Sequence, residues 1–342
     1  MMRRFFSWGN DLHSGRTSIP FIKRSKLWLG IAAALMVASL IVPLVGGFNL
    51  GIAFKGGSQF QIANTSDTSE QHAHDAITGV VGSEVTTSVV PTSDTSIKID
   101  TDQLTDEQMQ QVRDALVESY QVDNADVTSN FVGPKWGQDV TEKMTRALII
   151  FVAIAMLVMA IYFRTWKMSL AAILGLVFVM VVTMGIYSAL GFEVTPEAII
   201  GFLTVLSFSL YDTVVVFDKI RENTEDFKDN HRMKFSELVN LGVNQTTVRS
   251  INTSMISVLP IAAILFIGVF LLGAGTLTDI ALSLFIGTIV AAASTLFVAS
   301  PLYNLLRKNE PAVKEQEEIV DEYRRKRGLP DRPPVLFEDV GA

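Results

Sequence analysis

The chain has 342 residues, 49% hydrophobic and 18% charged, with a net charge of −7 and a mean hydropathy of +0.35. That balance is a membrane protein's and excludes an ordinary soluble domain. There is no cysteine, so disulfides, thiol chemistry and thiolate metal sites are excluded, and four histidines spread along the length make a histidine metal cluster an unpromising reading.

Residues 1–26 carry Arg3, Arg4, Arg16, Lys23, Arg24 and Lys26 against the single acid Asp11. The apolar run 27–48 follows, long enough to cross about 30 Å of hydrocarbon at about 1.5 Å per residue. A cleaved signal peptide is the alternative. The long leader and the lack of a clear small-residue cleavage site favour a retained anchor. Immediately after it stands GIAFKGGSQF (51–60). Its glycines lack the spacing and the Lys-Ser/Thr ending of a phosphate loop. They read better as a tight exit from helix to strand.

From 51 to 142 the chain is polar and holds fifteen acids. Residues 58–63 alternate like a strand, 69–81 suit a helix, and 84–91 and 95–100 read as strands joined by a turn at Pro91–Asp94. Residues 104–120 form a helix with Leu104, Met109, Val112, Leu116 and Val117 on one stripe, and 125–132 close the unit as a strand. This β-α-β-β-α-β order predicts a small two-layer α+β domain of ferredoxin-like arrangement. His72 and His74 fall on its surface helix, two apart, and read as solvated.

Five further apolar segments follow, at about 145–163, 169–190, 198–217, 251–272 and 280–300, making six spans with the first. The expected fold class is therefore an α-helical membrane protein with an α+β domain between helices 1 and 2. Arg164 and Lys167 lie between the second and third spans, and Lys219, Arg221, Lys228, Arg232, Lys234 and Arg249 between the fourth and fifth. The other two connections, 191–197 and 273–279, hold no basic residue. Short basic loops stay cytoplasmic, so both termini are expected inside and the 51–142 domain outside. Trp28, Trp136 and Trp166 fall at span ends. The tail, 301–342, reads as a solvated and partly disordered cytoplasmic extension. Its RRKR run at 324–327 suggests attraction to anionic lipid or to ribosomal RNA as the sharper alternative.

One stretch stands out from this layout: SFSLYDTVVVFDKIREN, 207–223. Asp212 lies inside the fourth span, and an ionisable group there is costly and by default a functional hypothesis. Ser209 and Thr204 precede it and suggest a face of oxygen atoms lining a narrow wetted crevice. Desolvation is the setting in which a carboxyl group comes to load and release protons, and a nearby cation opposes that effect. A packing pin is the structural alternative. Arg249 is the natural counter-charge, since it opens the fifth span within NQTTVRSINTSMIS (244–257), where Asn252, Thr253, Ser254 and Ser257 continue the polarity. Simple anchoring by snorkelling is the alternative for Arg249. The cluster Asp218–Asn223 extends the fourth helix into solvent, with Asp218 and Arg221 at an attractive spacing. In the sixth span Ser283, Gly287, Ala291, Thr295 and Ala299 recur every fourth residue, a surface on which two helix backbones can approach closely.

Three of these stretches resemble motifs of the SecF branch of the SecD/SecF family, within the RND transporter superfamily. YDTVVVFDKIREN (211–223) is similar to the family's fourth-span motif, with Tyr211, Asp212, Thr213, Asp218, Arg221 and Asn223 at motif positions. NQTTVRSINTS (244–254) resembles the fifth-span motif and contributes Gln245, Thr246, Arg249 and Thr253. GIAFKGGSQF resembles the first-loop motif through Gly51, Phe54, Gly56 and Gly57. The resemblance covers about residues 25–305. Two positions depart from it: Ala53 stands where the family carries Asp, and Tyr211 where it commonly carries Asn.

The resemblance implies that Asp212 and Arg249 serve proton coupling and that SecD supplies six more spans. It implies as further partners the SecYEG translocon, with SecA upstream, a translocating preprotein, protons and membrane lipid, without nucleic acid or cofactor. It also implies a bacterial cytoplasmic membrane location. No nucleophile–base pair, metal site or nucleotide loop is legible, so the chain reads as a transporter subunit and not an enzyme. A proton-driven RND exporter of small molecules or lipids, and a scaffold that only stabilises the translocon, are the competing classes.

Overall fold

The computed structural model describes residues 2–93, 95–163, 165–272, 276–331 and 333. Asp94 of the expected turn, Arg164, part of the 273–279 connection and the end of the tail lie outside them. After α1 (Met2–Ser14), α2 (Ser25–Gly46) and the single turn α3 (Ile52–Lys55) come the elements of the small domain. These are β1 (Gly57–Ile62), α4 (Glu70–Val81), β2 (Thr87–Ser93), β3 (Ser96–Thr101), α5 (Asp106–Tyr120) and β4 (Val127–Val132). Then follow α6 (Pro134–Tyr162), α7 (Trp166–Ala189), α8 (Pro196–Thr224), α9 (Phe235–Leu272), α10 (Thr276–Ser294), α11 (Ser300–Arg307) and α12 (Pro311–Arg327).

The four strands pair antiparallel in the order β2-β3-β1-β4, with Phe60 opposite Ile99 and Ser129. Strand alternation turns Phe60, Ile62, Ile97 and Ile99 inward onto Ile77 of α4 and Val112 and Leu116 of α5. The same alternation sends Gln59, Lys98 and Asp100 to the opposite face, toward the helix bundle. A capping box at Thr105 and Gln108 starts α5 where the sequence placed it. The α+β fold expected from the pattern is the fold observed.

Among the described residues, six helices are long and apolar enough to cross a membrane. α7, α8 and the α10–α11 rod are the best-buried of them, while α2, α6 and the second half of α9 leave most of their apolar side chains exposed. α8 buries a stripe at helical spacing: Ala198, Gly201, Phe202, Val205, Leu206, Ser209, Asp212, Thr213, Val216, Phe217 and Ile220. Much of that stripe lies on α10, at the four-residue repeat of small residues. A Cβ on Gly201 would collide with Ser283 Oγ, and one on Gly287 would lie 2.6 Å from a Val205 methyl. Between α10 and α11, residues Thr295–Ala299 form a π turn, which widens the helix by one residue and takes a hydrogen bond from Ser300 Oγ to Thr295 O at 2.9 Å.

The fourth and fifth spans extend further than their hydropathy implied. α8 runs to Thr224 and α9 starts at Phe235, so the connection between the two helices narrows to 225–234 and the stretch 235–250 joins α9. The polar residues of that stretch are helical, and their polarity serves tertiary contacts. Asn240 and Asn244 accept from the backbone N–H groups of Ile22 and Ile19 at 3.1 and 2.8 Å, which pins the N-terminal segment along α9.

The tail differs from the solvated extension expected of it. Gln316 of α12 donates to Asn230 O and Met233 O and accepts from Phe235 N. Arg324, the first residue of the RRKR run, is buried and forks onto both oxygens of Glu237 at 3.0 and 2.7 Å. Only Arg325, Lys326 and Arg327 of that run face solvent. Arg307 lies over the rings of Phe227 and Phe235, 5.3 and 4.7 Å from their centroids. A charged segment becomes ordered because Gln316 and Arg324 find partners in the α8–α9 connection and the first turn of α9.

The α8–α10 contact leaves no room at Gly287, whereas Ser283 Oγ donates within its own helix, to Ile280 O. Gly287→Leu is expected to cost at least about 1–3 kcal/mol by overpacking and Ser283→Ala less than about 1 kcal/mol. Thermal unfolding of the purified protein in detergent compares the two.

Candidate functional site

Asp212 lies on the buried stripe of α8, 3% exposed. Its Oδ1 accepts a hydrogen bond from Ser250 Oγ of α9 at 2.8 Å. Its Oδ2 is buried without a hydrogen-bond partner among the described residues. One residue along, Thr213 Oγ1 lies 3.2 Å from Thr295 Oγ1, at the start of the π turn. The carboxyl group thus stands where α8, α9 and the α10–α11 rod meet, with hydroxyl groups from two of the three helices facing α8.

Arg249 does not form the expected pair with Asp212. On a helix, adjacent residues point about 100° apart, so Ser250 and Arg249 cannot both face the buried stripe of α8. Ser250 faces it, and Arg249 turns outward, where its Nη2 donates to Tyr211 Oη at 3.4 Å. Both residues are exposed. Tyr211, which departs from the family's Asn, is therefore the contact of Arg249 and not a ligand of Asp212. Thr204 is likewise off the stripe, bonded to Ile200 O, while Ser209 is buried on it.

The remaining motif residues support the α8–α9 pair. Asn223 Nδ2 donates to Gln245 Oε1 at 2.9 Å, and Gln245 donates on to His13 O. Thr246 is buried and bonds back to Gly242 O and Val243 O. Thr253 is half-buried, while Asp218 and Arg221 are exposed; no Asp218–Arg221 ion pair forms among the described residues. Ala291 is fully buried and takes the Thr295 hydroxyl on its carbonyl at 3.3 Å.

The first-loop motif sits at the other end of the bundle, beneath the α+β domain. Gly51 N donates to Val194 O and Val194 N to Asn49 O, Phe54 packs beside Tyr187 and Val194, and Gly56 and Gly57 have φ of 77° and 139°. These two φ values lie in the region open to glycine. With Ala53 in this turn, the motif carries no carboxylate there.

Sequence reasoning did not single out Ser250 or Thr295 as neighbours of the carboxyl group. Ser250 stood inside the quoted fifth-span motif, and Thr295 on the small-residue repeat that was assigned to packing alone. Their signal was a helical phase: each lies on its helix's buried stripe.

The family model described as "Protein export membrane protein SecD/SecF, C-terminal" matches residues 111–309, more than half of the chain. The chain belongs to the SecD/SecF family. The SecF protein translocase subunit of Streptomyces coelicolor is 37% identical over 92% of this chain and 83% of its own length. That of Mycobacterium tuberculosis strain H37Rv is 37% identical over 90% and 71%. The crystal structure of SecDF from Thermus thermophilus, titled a translocon-associated membrane protein, superposes with a TM-score of 0.76 at 26% identity over 86% of this chain. A second structure, of SecDF in a super-membrane-facing form, gives 0.63 at 25% identity. This chain spans about two-fifths of those two chains, 39% and 40%.

Ser250→Ala removes the hydroxyl that donates to Asp212 Oδ1 and leaves that buried oxygen without it. A loss of about 1–3 kcal/mol of stability is expected. Asp212→Asn retains an oxygen that accepts from Ser250 and is expected to lose less. Thermal unfolding at fixed detergent and pH measures both.

Proposed function

We propose that this chain works with a SecD partner to couple proton movement across the bacterial cytoplasmic membrane to preprotein translocation through the SecYEG translocon, downstream of SecA. The observation that carries this reading is the setting of Asp212. A hydroxyl both donates and accepts, so Ser250 suits the carboxylate as a donor and the carboxylic acid as an acceptor, and Oδ2 is open to a proton. Gaining or losing that proton changes the fit of α8 against α9 and α10 without breaking a fixed ion pair.

Arg249 and Tyr211 support a SecD partner. They lie exposed on the α8–α9 face together with the apolar Met255, Ile256 and Leu259. A guanidinium at membrane depth needs a counter-charge, and the SecD helices would cover this face and supply one. The arrangement of basic residues supports both termini inside and the α+β domain outside. A proton crossing inward releases about 2.3 kcal/mol per 100 mV from the electrical term alone.

A second reading, a proton-driven exporter of small molecules or lipids, is favoured by one feature. A cavity of about 240 Å³ opens between α6, α7 and α8, lined by Phe54, Met144, Val179, Met180, Phe202 and Leu206. Exporters of that class need an apolar chamber of this kind.

Export of a secretory precursor into membrane vesicles, with and without a proton gradient, tests the main reading. With Asp212→Asn at normal membrane level and with SecD still bound, export is expected to fall to the level of vesicles lacking the protein. Export should no longer respond to the gradient. Unchanged export with unchanged gradient dependence would make Asp212 structural.

A further inference from the structure

The short segment between α7 and α8 touches more of the molecule than its length suggests. Val194 pairs in parallel with Leu50 at the exit of α2, through the two backbone hydrogen bonds at Gly51 and Asn49. Thr195 caps α8, accepting from Ala198 N at 3.2 Å, and donates to Asp279 Oδ2 of α10 at 3.1 Å. Between them Glu193 reaches away from the bundle and pairs with Lys98 on β3 of the α+β domain. Gly51 is needed for this arrangement, because a Cβ there would collide with Glu193 Oε1.

Lys98 is set for this contact by strand alternation, which holds its neighbours Ile97 and Ile99 in the domain core. Asp100, on the same face, lies 3.9 Å from Lys98 and accepts from Gln59 Nε2 at 2.7 Å. The side chains of Lys98, Asp100 and Glu193 are all less than one-fifth exposed. The charged groups that act on the pair are Asp100 on β3 and Asp279 on α10; Lys55 on α3 acts in turn on Asp100, and Glu197 in the first turn of α8 and Tyr187 on α7 lie beside Asp279. A buried ion pair of this kind is worth more as a fixed geometry than as stabilisation.

We propose that Glu193 and Lys98 are the positioning pair through which movement of α8, the helix that carries Asp212, is passed to the α+β domain. The inference rests on the proton-coupling reading above and adds the route. Glu193 is three residues ahead of the first residue of α8, and Thr195 fixes the start of that helix. A tilt or shift of α8 therefore displaces Glu193 directly and, through Lys98, the sheet. The pair makes no contact with the proton site and takes no part in chemistry there.

The surrounding charges give the link a pH sense. Burial, the larger effect, pushes the Glu193 carboxyl above its ordinary value, with Lys98 opposing. Burial likewise raises Asp100 against Lys98 and Gln59. For Lys98, burial works downward, but Glu193 and Asp100 together outweigh it and hold the ammonium above its ordinary value. Raised carboxyl values mean that the docked state binds more protons than the undocked one. Docking is then strongest below the ordinary carboxylate range and weakens as pH rises through the raised values, with Lys98 charged throughout.

The test uses the full chain with SecD in liposomes. The chain has no cysteine, so cysteines placed at exposed Ser83 and Leu190 take a pair of spin labels that report the distance from the domain to the end of α7. Asp212→Asn, which stands in for the protonated carboxyl group, is expected to shift this distance. In a Lys98→Met or Glu193→Ala background the distance distribution should broaden and the shift should be lost, while Lys98→Arg should keep it. The wild-type distribution should be narrower at about pH 5 than at about pH 8. A shift that persists undiminished in the Lys98→Met background, or no shift with an intact pair, overturns the proposal. Hydrogen exchange in β1 and β3 controls for unfolding of the domain. Export is scored separately. If Asp212→Asn leaves export intact while Lys98→Met still broadens the distances, the proton-coupling reading fails and the contact stands.

Discussion

A carboxyl group in the middle of a membrane-spanning helix has to be placed where hydrogen-bonding groups surround it, and the arrangement of α8, α9 and α10 follows from that requirement. The Asp212–Ser250 hydrogen bond fixes the rotation of α9 against α8. That rotation then sends Arg249 outward and Thr246 inward. On the other side, the small-residue repeat of α10 brings its backbone close enough for Thr295 to meet Thr213. The π turn at Thr295–Ala299 re-aims the helix just there. In hydrocarbon, where apolar side chains gain little by leaving lipid, close backbone approach and a few hydroxyl contacts are what hold helices together. Here the same groups serve both packing and the carboxyl site.

The layout was largely legible in the sequence because it depends on short-range patterns. Period-two alternation in 58–63 and 95–100 identified strands β1 and β3, and the order of elements gave the two-layer domain. Runs of about twenty apolar residues gave the spans. What was not legible depends on phase and on partners far apart in the chain. Whether Arg249 or Ser250 faces Asp212 is a matter of about 100° of helix rotation, which composition does not report. The polar turns of α9 looked like a loop because their partners, Ser18, Ile19 and Ile22, lie more than 200 residues away. The tail looked solvated for the same reason. Arg324 and Gln316 carry no sign in their own neighbourhood that Glu237 and Phe235 await them.

The ends of the bundle are organised around α8 in different ways. At the end near the α+β domain, the segment before α8 is joined to three other parts by single contacts: Val194 to Leu50, Glu193 to Lys98 and Thr195 to Asp279. Such a junction can transmit displacement because each contact has one direction and little surrounding bulk. At the opposite end the continuation of α8 is embedded in aromatic packing, with Phe227, Phe235 and Tyr303 around the Arg307 guanidinium. That end is built as an anchor. If α8 moves as proposed, a helix held at this end and joined through discrete contacts at the other would move most where the α+β domain is attached.

The docking of α12 has a consequence for how the molecule is made. The connection between α8 and α9 lies at about two-thirds of the chain, but the groups that satisfy Asn230 O, Met233 O and Glu237 come from Gln316 and Arg324, near its end. The other side of α9 is held by Ile19 and Ile22, from its beginning. During synthesis the two helices that flank Asp212 therefore emerge with their connection still open on one side. Ile19 and Ile22 must wait for it and α12 must close it. The architecture around Asp212 is complete only when α12 folds back onto the α8–α9 connection, so it is reached after α12 has been made and not along the way.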